Sequence, residues 1–138
     1  MSKFQFVQGQ DSETGYLVGI SIHSESPLLS VDDSLEELAL LAETAGIRVV
    51  GQTYQNVREI NPATFIGSGK VDEIIEQLTH LNADVVIFDD ELSPRHQREL
   101  EKRLGENVRL LDRSALILDI FAQHASTREG ALQVELAQ

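Results

Sequence analysis

Three groups of residues in this chain have types and spacings that chemistry uses. Gly67-Ser68-Gly69-Lys70 sets two glycines and a lysine ahead of an apolar helical period. Glycines let backbone amides approach an anion, and a helix beginning near Gly69 would aim its positive end at one. The stretch is not a GxxxxGK[ST] phosphate loop, which needs Gly at position 64 and Ser or Thr at 71, where this chain has Thr64 and Val71. It reads in three ways: a tight turn with Lys70 on the surface, a contact for an RNA phosphate, or a nucleotide site. Asp89-Asp90-Glu91 forms the second group, just past a strand whose carboxyl end is where doubly wound sheets place ligands. Its oxygens could hold Mg²⁺, or its charge could favour the N-terminus of the next helix, and the helix-end role is the expectation. The third group is basic. Between Arg95 and Arg128 stand seven basic residues against five acids, while the rest of the chain has four against eighteen.

That distribution matters because the whole chain carries a formal charge of -12. Such a chain cannot coat nucleic acid at large, since counterion release needs Lys and Arg beside phosphates. Any RNA contact must use the local excess, with Arg95, Arg98, Lys102, Arg113 and Arg128 as candidates. Arg95, Arg98 and Lys102 fall at i, i+3 and i+7, on one helix face. The four histidines, His23, His80, His96 and His124, lack metal-ligand spacing, and no G-x-S-x-G elbow frames a nucleophile. No metal site and no catalytic residue are expected.

Elements must position these groups. At 138 residues without Cys, the chain is long enough to fold as one domain without disulfides, and no apolar run approaches membrane-spanning length. A cytoplasmic protein with no membrane insertion is the default. Tyr16–Ile22 reads as a buried strand whose Gly19 admits a neighbouring backbone, and His23–Val31 as a loop. Asp33 or Ser34 is positioned to cap a helix that Gly46 ends. Ile47–Tyr54 is a strand, with Arg48 expected to pair with an acid. Thr64-Phe65-Ile66 is a short β-prone piece, and Val71, Ile74, Ile75, Leu78 and Leu81 mark an amphipathic helix. Val85–Phe88 is a buried strand, Ser93-Pro94 opens a helix that Gly105 closes, and Val108–Leu111 is the last strand. The alternation predicts an α/β fold: a mainly parallel sheet of about four strands with helices on both faces, ending in the start of a helical linker.

The last third, DRSALILDIFAQHASTREGALQVELAQ, is apolar nearly all round from Ala115 to Ala125. Asp112 is placed to cap its helix, and Asp119 is expected to be buried against Arg113 or Arg128. Ser126 with Glu129 predicts a second helix, one with no stop before Gln138, which points to a longer protein.

This segment, together with NPATFIGSGKVDEI and VVIFDDELSPRHQ, resembles the N-terminal domain of the HflX family of ribosome-associated GTPases. By its polar composition 1–14 reads as an N-terminal arm, though the alternation of Phe4, Phe6 and Val7 also allows a short edge strand; the resemblance implies the α/β domain over 15–125 and the start of a helical linker over 126–138 leading to a GTPase domain. It implies as partners the large ribosomal subunit with its rRNA, in ribosome splitting or rescue, and the downstream GTPase domain. GTP and Mg²⁺ would belong to that domain, so this fragment should hold no cofactor and be inactive alone. In the family the Gly67–Lys70 stretch is associated with nucleotide binding. The family usually has Gln, Asn and Arg where this chain has His96, Glu99 and His124. Two rivals remain: a nucleotide-binding module using Gly67, Ser68, Gly69 and Lys70, and a protein-protein docking domain.

Overall fold

A computed structural model of the chain describes residues 12–22 and 30–137, with side chains as far as Ala125. The β-rich runs and helical periods become β1 (Glu13–Ile22), α1 (Val31–Thr44), β2 (Ile47–Val57), α2 (Ser68–Leu81), β3 (Val85–Phe88), α3 (Pro94–Leu104), β4 (Arg109–Asp112) and α4 (Arg113–Ala137). The four strands are parallel and ordered β2-β1-β3-β4. The chain therefore starts mid-sheet, steps outward to β2, then crosses back to β3 and β4. With right-handed crossovers, a reversal of direction puts the connecting helices on opposite faces. The core divides accordingly. On one face Val71, Ile74 and Leu78 of α2 and Leu100 of α3 pack on Tyr16, Val18, Val86 and Phe88. On the other, Leu35, Leu38 and Ala42 of α1 and Leu116 of α4 cover Leu17, Val85 and Ile87. All four residues of β3 are buried, as the uninterrupted apolar run requires of a central strand.

Several local expectations are corrected. Ser30, not Asp33 or Ser34, caps α1, its hydroxyl accepting from the Asp33 amide, so the helix starts inside the expected loop; positions 23–29 of that loop lie outside the described residues. Gly19 is approached by the side chains of Val31 and Leu35 rather than by backbone. β2 continues three residues past Tyr54. Thr64-Phe65-Ile66 is no strand: Phe65 and Asn61 form one antiparallel bridge, and Phe65 takes φ 71°. Arg48 is exposed and has no ion pair among the described residues.

α4 is also longer than expected. It runs unbroken through Ser126 and Gly130, so the capping box there starts no new helix. A glycine inside a helix costs only about 1 kcal/mol relative to Ala, too little to end it without a competing cap geometry. Asp119 is half-exposed and pairs with Arg109 at 3.5 Å, not with Arg113; the Arg128 half of that expectation lies outside the described side chains. Among the described side chains, α4 buries Leu116 but leaves Leu118 and Phe121 about two-thirds exposed, at 67% and 66%.

Candidate nucleic-acid interface

The carboxyl edge of the sheet gathers most of the candidate residues. The strand order reverses between β1 and β3, and the crevice beyond such a point is where open α/β sheets hold ligands. Here side chains from α1, α4 and the end of β3 pair with one another. Arg113, the first residue of α4, donates from Nη2 to Asp89 Oδ1 at 2.6 Å and from Nη1 to Glu37 Oε1 at 3.0 Å. It also reaches the Ser34 carbonyl at 3.3 Å, and the Ser34 hydroxyl donates to the other Asp89 oxygen. Burial pulls the Arg113 pKa down, but the Asp89 and Glu37 contacts outweigh that and leave it raised, so the guanidinium stays charged. A positive charge in the first turn opposes the helix dipole and needs such carboxylates.

Asp89 is thereby spent on Arg113 and not on the N-terminus of α3, which corrects its expected role. Asp112 does cap α4: its Oδ1 accepts from the Ala115 amide at 2.9 Å, while its Oδ2 accepts from the Leu92 amide. Among the described residues no group of three or more His, Asp or Glu is arranged to hold a metal.

The glycine turn sits on the same edge. Gly67 caps α2 by backbone alone, and its amide donates to Gln55 Oε1 at 3.0 Å. Lys70 is mostly covered, at 14% side-chain exposure, and pairs with Glu73 at 3.0 Å. A P-loop lysine must instead point its ammonium at the phosphates. A Cβ on Gly69 would meet nothing within 4 Å, so no close backbone approach demands that glycine.

His96, which no metal pattern flagged, joins the turn to α3. Ser93 caps that helix by accepting from the His96 amide, and His96 Nδ1 accepts in return from the Ser93 amide, closing a capping box. With Nδ1 accepting, the proton sits on Nε2, which donates to the Asn61 carbonyl at 3.1 Å. Its ring meets Phe65 edge-on at 5.2 Å, and Phe65 meets Phe88 at 6.0 Å. The Ile66 amide bonds back to the Thr64 carbonyl across Phe65, a γ-turn whose positive φ is strained for an aromatic residue. The spacing Ser93-x-x-His96 was the available signal, because the third helical position is where a cap-reciprocating side chain stands. His96→Ala should lower stability by about 1–2 kcal/mol in urea unfolding. His96→Gln, which keeps an acceptor at that position, should cost less, and equal losses would show that the box contributes nothing.

Arg95, Arg98 and Lys102 are exposed along α3, as their spacing requires. Lys102 is 3.6 Å from Glu99, whereas Arg95 and Arg98 have no ion pair among the described residues. Arg103 on the same helix is bound to Asp72 at 2.6 Å, and Arg109 is held by Glu13 at 2.6 Å. The structure thus separates the basic excess into cations that bind the domain together and cations that face outward. Arg113 is in the first class; the Arg128 side chain lies outside the described residues.

The family model for the GTP-binding GTPase N-terminal region matches residues 32–122. Similar proteins include GTPase HflX of Alkalihalophilus pseudofirmus, 41% identical over 97% of this chain and 31% of its own length, and GTPase HflX of Escherichia coli, 46% identical over 77% of this chain and 24% of its own. A crystal structure of a GTP-binding protein from the archaeon Sulfolobus solfataricus in complex with GDP covers 91% of the chain, and 35% of that protein, at a TM-score of 0.63 and 26% identity. The chain spans less than a third of the length of these curated relatives. No helix among the described residues is long and apolar enough to cross a membrane.

Proposed function

Because the chain belongs to the HflX family of GTPases, matching its N-terminal domain, we propose that it contacts the RNA of the large ribosomal subunit through the outward face of α3. The observation that supports this reading is the pair of exposed guanidiniums of Arg95 and Arg98, which have no ion pair among the described residues, in a chain of charge -12. Outward-facing cations that no described carboxylate holds are available to phosphate, and Lys102 extends their line by a turn. In this reading Arg113 works inside the domain, fixing α4 to the sheet. The exposed apolar side chains of α4 pass the domain's position on to the GTPase portion of a longer, cytoplasmic protein that splits or rescues ribosomes. GTP hydrolysis lies in that portion.

Binding of the chain to purified large subunits, measured at several salt concentrations, tests the proposal. The logarithm of the association constant should fall linearly with the logarithm of salt, by about 0.7–0.9 for each phosphate neutralised. A salt-independent affinity would rule out a phosphate contact and leave protein-protein docking.

For the nucleotide reading, Lys70 is already paired and the Gly67 amide already used. A ligand that binds the native state raises Tm by mass action. ATP or GTP at millimolar concentration should leave the Tm of this chain unchanged, and a Lys70-dependent rise would restore Gly67, Ser68, Gly69 and Lys70 as a nucleotide site.

A further inference from the structure

The outer edge of β2 carries backbone groups that no other described backbone reaches. Its pairing with β1 skips Val50, so the strand bulges there, and beyond the bulge Gly51–Val57 runs in continuous register with Tyr16–Ile22. Natural edge strands block further pairing with Lys, Pro, inward charges or bulges. Here the bulge protects only the first part. The following seven residues, GQTYQNV, contain no charge and no proline, and Arg58 and Glu59 come just after them. Gln52, Tyr54 and Asn56 share one face and are exposed, Tyr54 at 41%. On the opposite face Gly51 lies against Tyr16, and Gln55 reaches across to the Gly67 amide.

We propose that this edge pairs antiparallel with the same edge of a second copy of the chain, about a two-fold axis through Tyr54. The segment is its own complement in that register. Tyr54 meets Tyr54, and Gln52 of each copy meets Asn56 of the other, so an aromatic pair is flanked by two amide pairs on one face. Arg58 falls opposite Val50, at the bulge, and no like charges meet within the ladder. An isologous contact of this kind closes as a dimer and joins two four-stranded sheets into one of eight. Seven residues a side make a small interface, so association is weak. Because each copy carries -12, salt relieves repulsion and strengthens the dimer, opposite in sign to a phosphate contact. The inference does not depend on the RNA reading.

Sedimentation equilibrium from micromolar to millimolar chain, at low and high salt, tests it. The chain should dimerise with rising concentration, and more readily in high salt. Tyr54→Lys and, separately, Gln52→Lys should each lower the association constant about tenfold while leaving the monomer folded by circular dichroism. The chain has no Cys, so Tyr54→Cys under mild oxidation should give a disulfide-linked dimer, and Leu40→Cys, a site 63% exposed on α1, should not. A chain that stays monomeric throughout, a dimer indifferent to both lysines, or a monomer that takes up an extended peptide of unrelated sequence would each overturn the proposal.

Discussion

Arg113→Ala should destabilise the domain by about 2–3 kcal/mol, less than the 3–5 expected of a fully buried pair because the side chain is 26% exposed. The loss comes chiefly from what remains. Asp89, only 9% exposed, would be left with the Ser34 hydroxyl as its side-chain partner, and Glu37 would lose its cation. The first turn of α4 would also be freed from the end of β3 and from α1, the three elements that the guanidinium ties together. Urea unfolding should show the midpoint shift at an unchanged slope, and Tm should drop by about 6–12 °C for a domain of this size. Adding Asp89→Ala should cost less than its own single effect, because the two residues act as one unit. A loss under about 0.5 kcal/mol for Arg113→Ala would place the guanidinium among surface cations and return it to the pool available for RNA.

The second large effect is on binding. Arg98→Glu combined with Lys102→Glu should lower affinity for the large subunit about 10–100-fold at low salt and reduce the salt slope by about two. Stability should hardly change. Both side chains are exposed, Arg98 has no ion pair among the described residues, and Lys102 loses only a 3.6 Å contact with Glu99. Arg48→Glu provides the control, since it makes the same kind of charge change at an exposed position on β2, away from α3. If the two substitutions weaken binding equally per charge, the effect is the general field of an acidic protein and not a contact through α3.

Much of the fold was legible because this sequence states its periods clearly. Val85–Phe88 is an uninterrupted apolar run of the kind a strand buried on both faces needs, and Ser93-Pro94 with Gly105 bounds a helix by chemistry that few other conformations accept. Errors arose where two local signals competed. Ser30, Asp33 and Ser34 all offer cap oxygens within five residues, and the winner was settled by tertiary demands: Ser34 is drawn to Asp89 and Arg113, leaving the cap to Ser30. Thr64-Phe65-Ile66 has strand propensity, but Asn61 ties the segment into a turn by accepting from the Ala63 and Thr64 amides. The burial of Phe65 then holds a positive φ that propensity argues against.

The candidate site was legible by residue type but not by role. Spacing placed Arg95, Arg98 and Lys102 on one face, and the dipole argument required a partner for Arg113. Only the folded arrangement identifies that partner as Asp89, 24 residues away in the chain, and sorts outward-facing cations from paired ones such as Arg103 and Arg109. Ion pairing across a sheet edge depends on strand order, which residue spacing along one element does not carry.

The most direct test of the RNA contact is mapping by proximity. With no Cys in the chain, Arg98→Cys can carry a short photo-crosslinker, and Leu118→Cys on α4 the same group as comparison. Irradiated on large subunits, the label on α3 should attach to rRNA at a discrete site, and the attachment should fade as salt rises. Crosslinks from α3 to ribosomal protein alone, or rRNA crosslinks from α4 with none from α3, would contradict the account.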